Sequence, residues 1–257
     1  MRASLFVTCL IDAVYPEVGA AAVRLLRRLG VDVDFPPGQL CCGQPAFNSG
    51  YSDAAREAAL QSVRAFRGSE YVVSPSGSCT AMVRHYYPAL FAGHPAEKEA
   101  LDFASRCYEL SQFIVEVLGL DDLGGEFRGV ATYHTSCHMT RGLGVREAPL
   151  RLLRNVRGLT LVDLPLAEEC CGFGGTFAVK MADLSAAMAD DKVNRVQETG
   201  AQYLVASDMA CLMHLSGRIA RRGLDVRALH LACLLEEATR PGAAARRASP
   251  AGRGRRS

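Results

Sequence analysis

The sequence predicts an α/β protein built from two pseudo-repeated Rossmann-like subdomains, each with a mostly parallel sheet. Three observations lead there. Short apolar runs alternate with amphipathic helical stretches along most of the 257 residues, the pattern of a parallel sheet covered by helices. Cys-Cys-Gly occurs twice, at Cys41-Cys42-Gly43 and Cys170-Cys171-Gly172. Each copy sits in the same frame. Cys9 precedes the first by 32 positions and Cys137 the second by 33, while Cys79 follows Cys42 by 37 and Cys211 follows Cys171 by 40. A repeat of this length reads as two similar subdomains, not as a solenoid.

The first half opens on the apolar run Leu5-Phe6-Val7, a strand leading into Cys9. Pro16 to Leu29 carries apolar residues at helical spacing, with Pro16 suited to a first turn and Gly30 at the stop. Val31 to Phe35 alternates as a strand, and the loop Pro36-Pro37-Gly38 follows before the first Cys-Cys-Gly. Ser52 to Phe66 reads as a helix, Tyr71-Val72-Val73 as a strand, and the chain from Cys79 to about Leu90 as a helix. Residues 92–128 are expected to connect the halves, with a helical stretch from Cys107 to Leu118 and a loop from Asp121 to Gly125.

The second half repeats the order: a strand from Gly129 to His134 leads to Cys137, then a helix spans Arg146 to Val156 and a strand Leu159 to Leu164. After the second Cys-Cys-Gly come a long helix from Met181 to Thr199, a strand from Tyr203 to Ala206 and a helix opened by Cys211. The expected division is a first subdomain over 1–120, a second over 121–240 and a disordered Arg-rich tail over 241–257, where ordering entropy outweighs any apolar burial.

Parallel α/β sheets place their sites beyond the carboxyl ends of the strands. All eight repeated cysteines follow strands, so Cys9, Cys41, Cys42 and Cys79 can meet at one edge, and Cys137, Cys170, Cys171 and Cys211 at the equivalent one. Four thiolates converging from separate loops suit a metal or an iron–sulfur cluster. Zinc in a structural role and thiol–disulfide exchange through one Cys-Cys pair remain the other classes open to such cysteines. Cys107 and Cys233 fall outside the frame and read as core. His134 and His138 flank Cys137, where capping or ligation is open to them, and Glu168-Glu169 before the second motif reads as a solvated loop.

Other chemistries lack support. The chain contains no Cys-x-x-Cys, no phosphate-binding glycine loop and no nucleophile elbow. Without the five arginines of the tail the balance is 24 bases against 27 acids, so no basic stripe for nucleic acid is expected. No apolar run is long enough to span a bilayer and the N-terminus does not read as a signal peptide, which predicts a cytoplasmic protein.

The repeated frame and the phrases Cys41-Cys42-Gly43-Gln44-Pro45-Ala46-Phe47-Asn48-Ser49-Gly50-Tyr51, Pro75-Ser76-Gly77-Ser78-Cys79 and Glu169-Cys170-Cys171-Gly172-Phe173-Gly174-Gly175 resemble the cysteine-rich (CCG) domain proteins, in particular the lactate-utilization and glycolate-oxidase iron–sulfur subunit family. The resemblance runs over about residues 3–238. It implies one or two iron–sulfur clusters of the [4Fe–4S] type held by the two cysteine tetrads, and a subunit role in oxidising L-lactate to pyruvate, with glycolate as the alternative substrate. It also implies a ferredoxin-like iron–sulfur partner and a small companion subunit, which can bring the protein to the inner face of the membrane. A more distant resemblance to the B subunit of heterodisulfide reductase breaks where that family continues into Cys-x-x-Cys. Met82 stands three positions after Cys79 and His214 three after Cys211. Four cysteines per half then fit one ordinary four-iron cluster, with His214 as an extra candidate ligand.

Overall fold

The structure, a computed structural model, describes residues 1–241; all of the Arg-rich tail beyond Pro241 lies outside the described residues. Two four-stranded sheets, each wholly parallel, carry the fold. The first contains β1 (Arg2–Leu5), β2 (Asp32–Asp34), β3 (Tyr71–Ser74) and β4 (Cys107–Glu109) in the order β2-β1-β3-β4. The second contains β5 (Glu126–Tyr133), β6 (Arg157–Val162), β7 (Tyr203–Ala206) and β8 (Arg227–His230) in the order β6-β5-β7-β8. The orders match strand for strand. So do central registers: Ser4 pairs with Val72 between β1 and β3, and Thr132 with Leu204 between β5 and β7.

The helices repeat as well. Pro16–Arg28 and Glu147–Arg154 cover the sheets with strongly amphipathic faces, burying Val18, Leu25 and Leu26 in one and Leu152 and Leu153 in the other. Ser52–Ala65 corresponds to Ala182–Glu198, and the helix over 77–90 to Met209–Arg221. The helix over 77–90 contains one π-helical turn, Met82–Tyr86, between Gly77–Ala81 and Tyr87–Leu90.

The stretch expected as helix from Cys107 behaves differently. Cys107–Glu109 is an edge strand, and helix starts only at Leu110. Cys107 and Glu109 are buried while Tyr108 is not, a period of two that a strand satisfies. Glu109 then ends the strand by accepting hydrogen bonds from the backbone N–H groups of Ser111 and Gln112. The connector 92–128 therefore includes the fourth strand of the first sheet. β8 and the helix Leu231–Ala238 close the second half in the same way, with His230 Nδ1 accepting from the Ala232 N–H at 3.1 Å.

The halves share one core. Leu25 and Leu26 of the first half and Leu234 and Leu235 of the second belong to a single buried cluster. A separate aromatic core, with Phe6, Phe66 and Phe103 at ring separations of 5.4 to 6.3 Å, belongs to the first half alone. Glu236 joins the halves from Leu231–Ala238: it accepts from Arg28 at 2.5 Å and Arg24 at 3.2 Å, both on Pro16–Arg28.

Candidate functional site

Each sheet presents its cysteines at the carboxyl ends of its strands. Cys9 opens the helix Cys9–Val14 after β1, and Cys79 lies in the first turn after β3. Cys41 and Cys42 occupy the loop between β2 and the helix Gln44–Asn48. In the second half Cys137 caps the π-helical turn His138–Gly142 after β5, Cys211 lies in Met209–Arg221, and Cys170 and Cys171 precede Thr176–Lys180.

Both motif glycines adopt the left-handed region, φ 86° at Gly43 and 87° at Gly172. A Cβ there would lie 2.6 Å from the Ala55 carbonyl oxygen in one half and 2.7 Å from that of Ser185 in the other. Only glycine combines that backbone with that approach. The turn it makes aims two adjacent cysteines inward above the following long helix.

The thiols converge. Cys9 Sγ donates to Cys41 Sγ at 3.5 Å, and Cys41 and Cys79 both hydrogen-bond Cys42. In the second half Cys170 bonds Cys137 and Cys171, and Cys171 bonds Cys211. Cys42, Cys171 and Cys211 are buried, the others partly or fully exposed. Hydrogen bonds from Cys42 and Cys9 hold Cys41 down at about 3. Those from Cys137 and Cys171, with the Gly172 N–H at 3.4 Å, hold Cys170 down at about 2. Their neighbours Cys9, Cys42, Cys137 and Cys171 are pushed up, first by sharing a proton with that central sulfur and then by burial. Each tetrad thus favours one thiolate at its centre. A soft metal centre would displace the remaining protons, since thiolate is the ligating form, and the convergent donor sets fit it.

The tetrads sit beside the contact between halves. A largely apolar cavity of about 530 Å³ is lined by Cys9, Cys41, Cys42 and Cys79 on one side and by Phe173, Thr176, Val179 and Met209 on the other. A smaller one, about 130 Å³, joins Cys137, Cys170, Cys171 and Cys211 to Gln44 and Pro45 of the first half. Each half covers the other's cysteines. Asp208, buried between them, accepts from the Ser78 N–H at 2.7 Å and the Ser136 hydroxyl at 3.4 Å.

The surroundings of the two tetrads differ. Lys192 is fully buried beneath the loop before Cys170, where Nζ donates to the carbonyls of Leu166 at 2.6 Å and Ala167 at 3.3 Å. Burial lowers its pKa. Ser62 takes the matching place in Ser52–Ala65 and donates to the Leu40 carbonyl at 3.4 Å. Glu168 and Glu169 are exposed, as a solvated loop predicts, and pair there with Arg146 and Arg195. His134 is fully buried, and both ring nitrogens lack hydrogen-bond partners. Burial holds it uncharged, at about 3. Among the described residues, the one set of three His, Cys, Asp or Glu donors whose ligand atoms all lie within 4.8 Å of one another is His134, Cys171 and Cys211.

The other residues singled out in the sequence occupy plainer positions. His214 Nε2 lies 3.2 Å from the Ser185 hydroxyl and 3.3 Å from its carbonyl oxygen, and that hydroxyl also donates to the Gly172 carbonyl at 2.7 Å. His138 Nδ1 is 3.6 Å from Cys137 Sγ. Cys107 is buried in the aromatic core, which pushes its thiol up to about 12, and Cys233 packs against the shared core, where burial raises it to about 11. Sequence reasoning passed over Lys192 and Asp208. Lys192 reads as one more charge on a helix, and Asp208 as an ordinary cap. A lysine at an apolar-face position of Met181 to Thr199 was the available signal.

Comparison with known proteins agrees with this geometry. The cysteine-rich domain (CCG) family model matches residues 3–84 and again 131–216. The chain is 56% identical over 236 residues to lactate utilization protein A of Geobacillus kaustophilus, covering 91% of this chain and 98% of that protein. It is 54% identical over 237 residues to lactate utilization protein A of Bacillus subtilis, covering 91% and 99%. Among solved structures, glutamate racemase from Francisella tularensis overlaps 92% of this chain and 78% of its own at 11% identity and a TM-score of 0.36, too loose a likeness to argue from. With its duplicated cysteine frame matched twice and its relatives aligned almost end to end, the chain belongs to the cysteine-rich (CCG) domain family, in the group of the lactate utilization A proteins.

Proposed function

We propose that this chain is the iron–sulfur electron-transfer subunit of a complex that oxidises L-lactate to pyruvate. Convergence of four thiols in each half, at matching strand ends, is the observation that carries the reading. The names of the relatives support a role in lactate utilization. A bound iron–sulfur cluster, of the [4Fe–4S] type in one or both tetrads, supplies one-electron transfer. Cys9, Cys41, Cys42 and Cys79 hold the first centre, and Cys137, Cys170, Cys171 and Cys211 the second. The protein's part is to gather these sulfurs, favour one thiolate at the centre of each set and keep the set partly dry. Cys41 and Cys170 already favour the thiolate, the Gly172 N–H supports Cys170, and the facing half covers each tetrad.

Electrons from the hydroxy acid are passed on through a ferredoxin-like iron–sulfur partner and a small companion subunit in the cytoplasm. Val14 and Val179, 54% and 82% exposed beside the first tetrad, suit the docking of such a partner. Among the described residues no helix is long and apolar enough to cross a membrane.

Anaerobic purification of the full chain with iron and acid-labile sulfide analysis tests the cofactor. Iron with matching sulfide is expected, and a colourless protein holding zinc alone would overturn the reading. Cys42→Ala and Cys171→Ala, introduced into the chromosomal copy, are expected to abolish growth on L-lactate. Loss on glycolate instead would reassign the substrate.

A further inference from the structure

We infer that the second half holds its metal through the imidazole nitrogen of His134 as well as through thiolates, so that the two centres differ in kind. The inference rests on the iron-binding reading above and adds a ligand to it.

His134 follows β5 and its N–H bonds the Val205 carbonyl at 2.8 Å; Phe6 follows β1 and its N–H bonds the Val73 carbonyl at 2.9 Å. The two residues are structural counterparts. Phe6 fills its place as an apolar side chain among Phe66 and Phe103. His134 brings two polar atoms to the equivalent fully buried place and leaves both without a hydrogen bond. A buried polar atom without a partner is costly and rare, and here it lies next to two sulfurs.

The spacing favours coordination. His134, Cys171 and Cys211 offer ligand atoms within 4.8 Å of one another, yet no hydrogen bond joins His134 to either sulfur. A span of 4.8 Å is short enough for the imidazole nitrogen to join the two thiolates at one metal centre after a small adjustment. Uncharged imidazole is the form that ligates. With His134 engaged, the second half offers five donors where the first offers four.

The test uses the full chain reconstituted anaerobically with ferrous iron and sulfide, in protein labelled with ¹⁵N-histidine. Pulsed electron paramagnetic resonance of the reduced protein is expected to show a directly bonded nitrogen. The signal should persist in Cys42→Ser, which breaks the first tetrad, and in His138→Ala and His214→Ala, which remove the other nearby imidazoles. It should vanish in His134→Phe, whose side chain the first half accommodates at the same place. His134→Cys should bind iron and lower the midpoint potential of the second centre, since histidine in place of cysteine raises cluster potentials. An iron-loaded second half without nitrogen coupling in the wild type, or with coupling that survives His134→Phe, overturns the inference alone. A chain that takes up no iron overturns it together with the function proposed above.

Discussion

Gly43 and Gly172 show how much one residue can decide here. Each turns the chain through a left-handed conformation against a backbone carbonyl oxygen of the following helix. Alanine would add roughly 1–2 kcal/mol of conformational strain, and the backbone contact leaves no side chain to move aside. Gly43→Ala and Gly172→Ala are each expected to lower the thermal midpoint by several degrees and to reduce iron uptake in their own half, as metal analysis and a melting curve would read. Gly223→Ala, with φ 62° but nothing within 4 Å of a Cβ, should cost strain alone and leave iron unchanged.

Glu109 sets a pH dependence at the same scale. Burial raises its pKa from 4.5 to about 7, against the opposing hydrogen bonds from Ser111 and Gln112. The folded protein therefore holds a proton that the unfolded chain releases. That proton's contribution is complete below about pH 4.5 and is lost as the pH rises through 7, a change on the order of 3 kcal/mol. Glu109→Gln, neutral throughout, should flatten the fall in stability between pH 5 and 8 seen in denaturant titrations.

At the scale of elements, the strand ends and helix starts do the positioning. Asp208 caps Met209–Arg221 through the Ala210 N–H at 3.3 Å and also accepts from the Ser78 N–H at the start of the helix over 77–90. One carboxylate thus holds the first turns of two helices, those that carry Cys211 and Cys79. Asp208→Ala removes both bonds, together with the one from the Ser136 hydroxyl, and is expected to destabilise the protein by about 2 kcal/mol. Iron uptake should fall in both halves, whereas a loss confined to the second would show that the Ser78 contact positions nothing. Elements with long periodic patterns were legible in advance: Pro16–Arg28 and Ala182–Glu198 lie where the apolar spacing put them. The strand at Cys107–Glu109 was not, because Cys-Tyr-Glu carries no apolar alternation and its period of burial exists only in the packed structure; its pairing with β3 is what makes it extended. The same holds for β8 at Arg227–His230.

For the whole molecule, the decisive feature is that two similar halves are clamped into one body. Glu236 is buried, and although burial alone would raise its pKa, hydrogen bonds from Arg240, Arg28 and Arg24 hold it at about 2. This stabilisation is present above the ordinary 4.5 and lost as the pH falls through about 2. Glu236→Gln is expected to cost about 2 kcal/mol at pH 7 and to bring the cost close to zero at the acid end, measured by denaturant titration at both pH values. An equal cost at every pH would mean that packing of Leu231–Ala238, not charge, holds the halves together.

The chemistry of this chain was written in one dimension: eight cysteines in a doubled frame, glycines behind them, and strands before them specify two sulfur tetrads at sheet edges, because parallel strands all deliver their next residues to one side. Which neighbours those sulfurs meet was decided only by the tertiary structure. Lys192 and Asp208 appear in the sequence as ordinary members of a helix and a cap, and His134, a candidate from its place beside Cys137, lies far along the chain from Cys171 and Cys211, the sulfurs it approaches. Their significance comes from burial, and burial is a property of the packed halves that no local pattern contains.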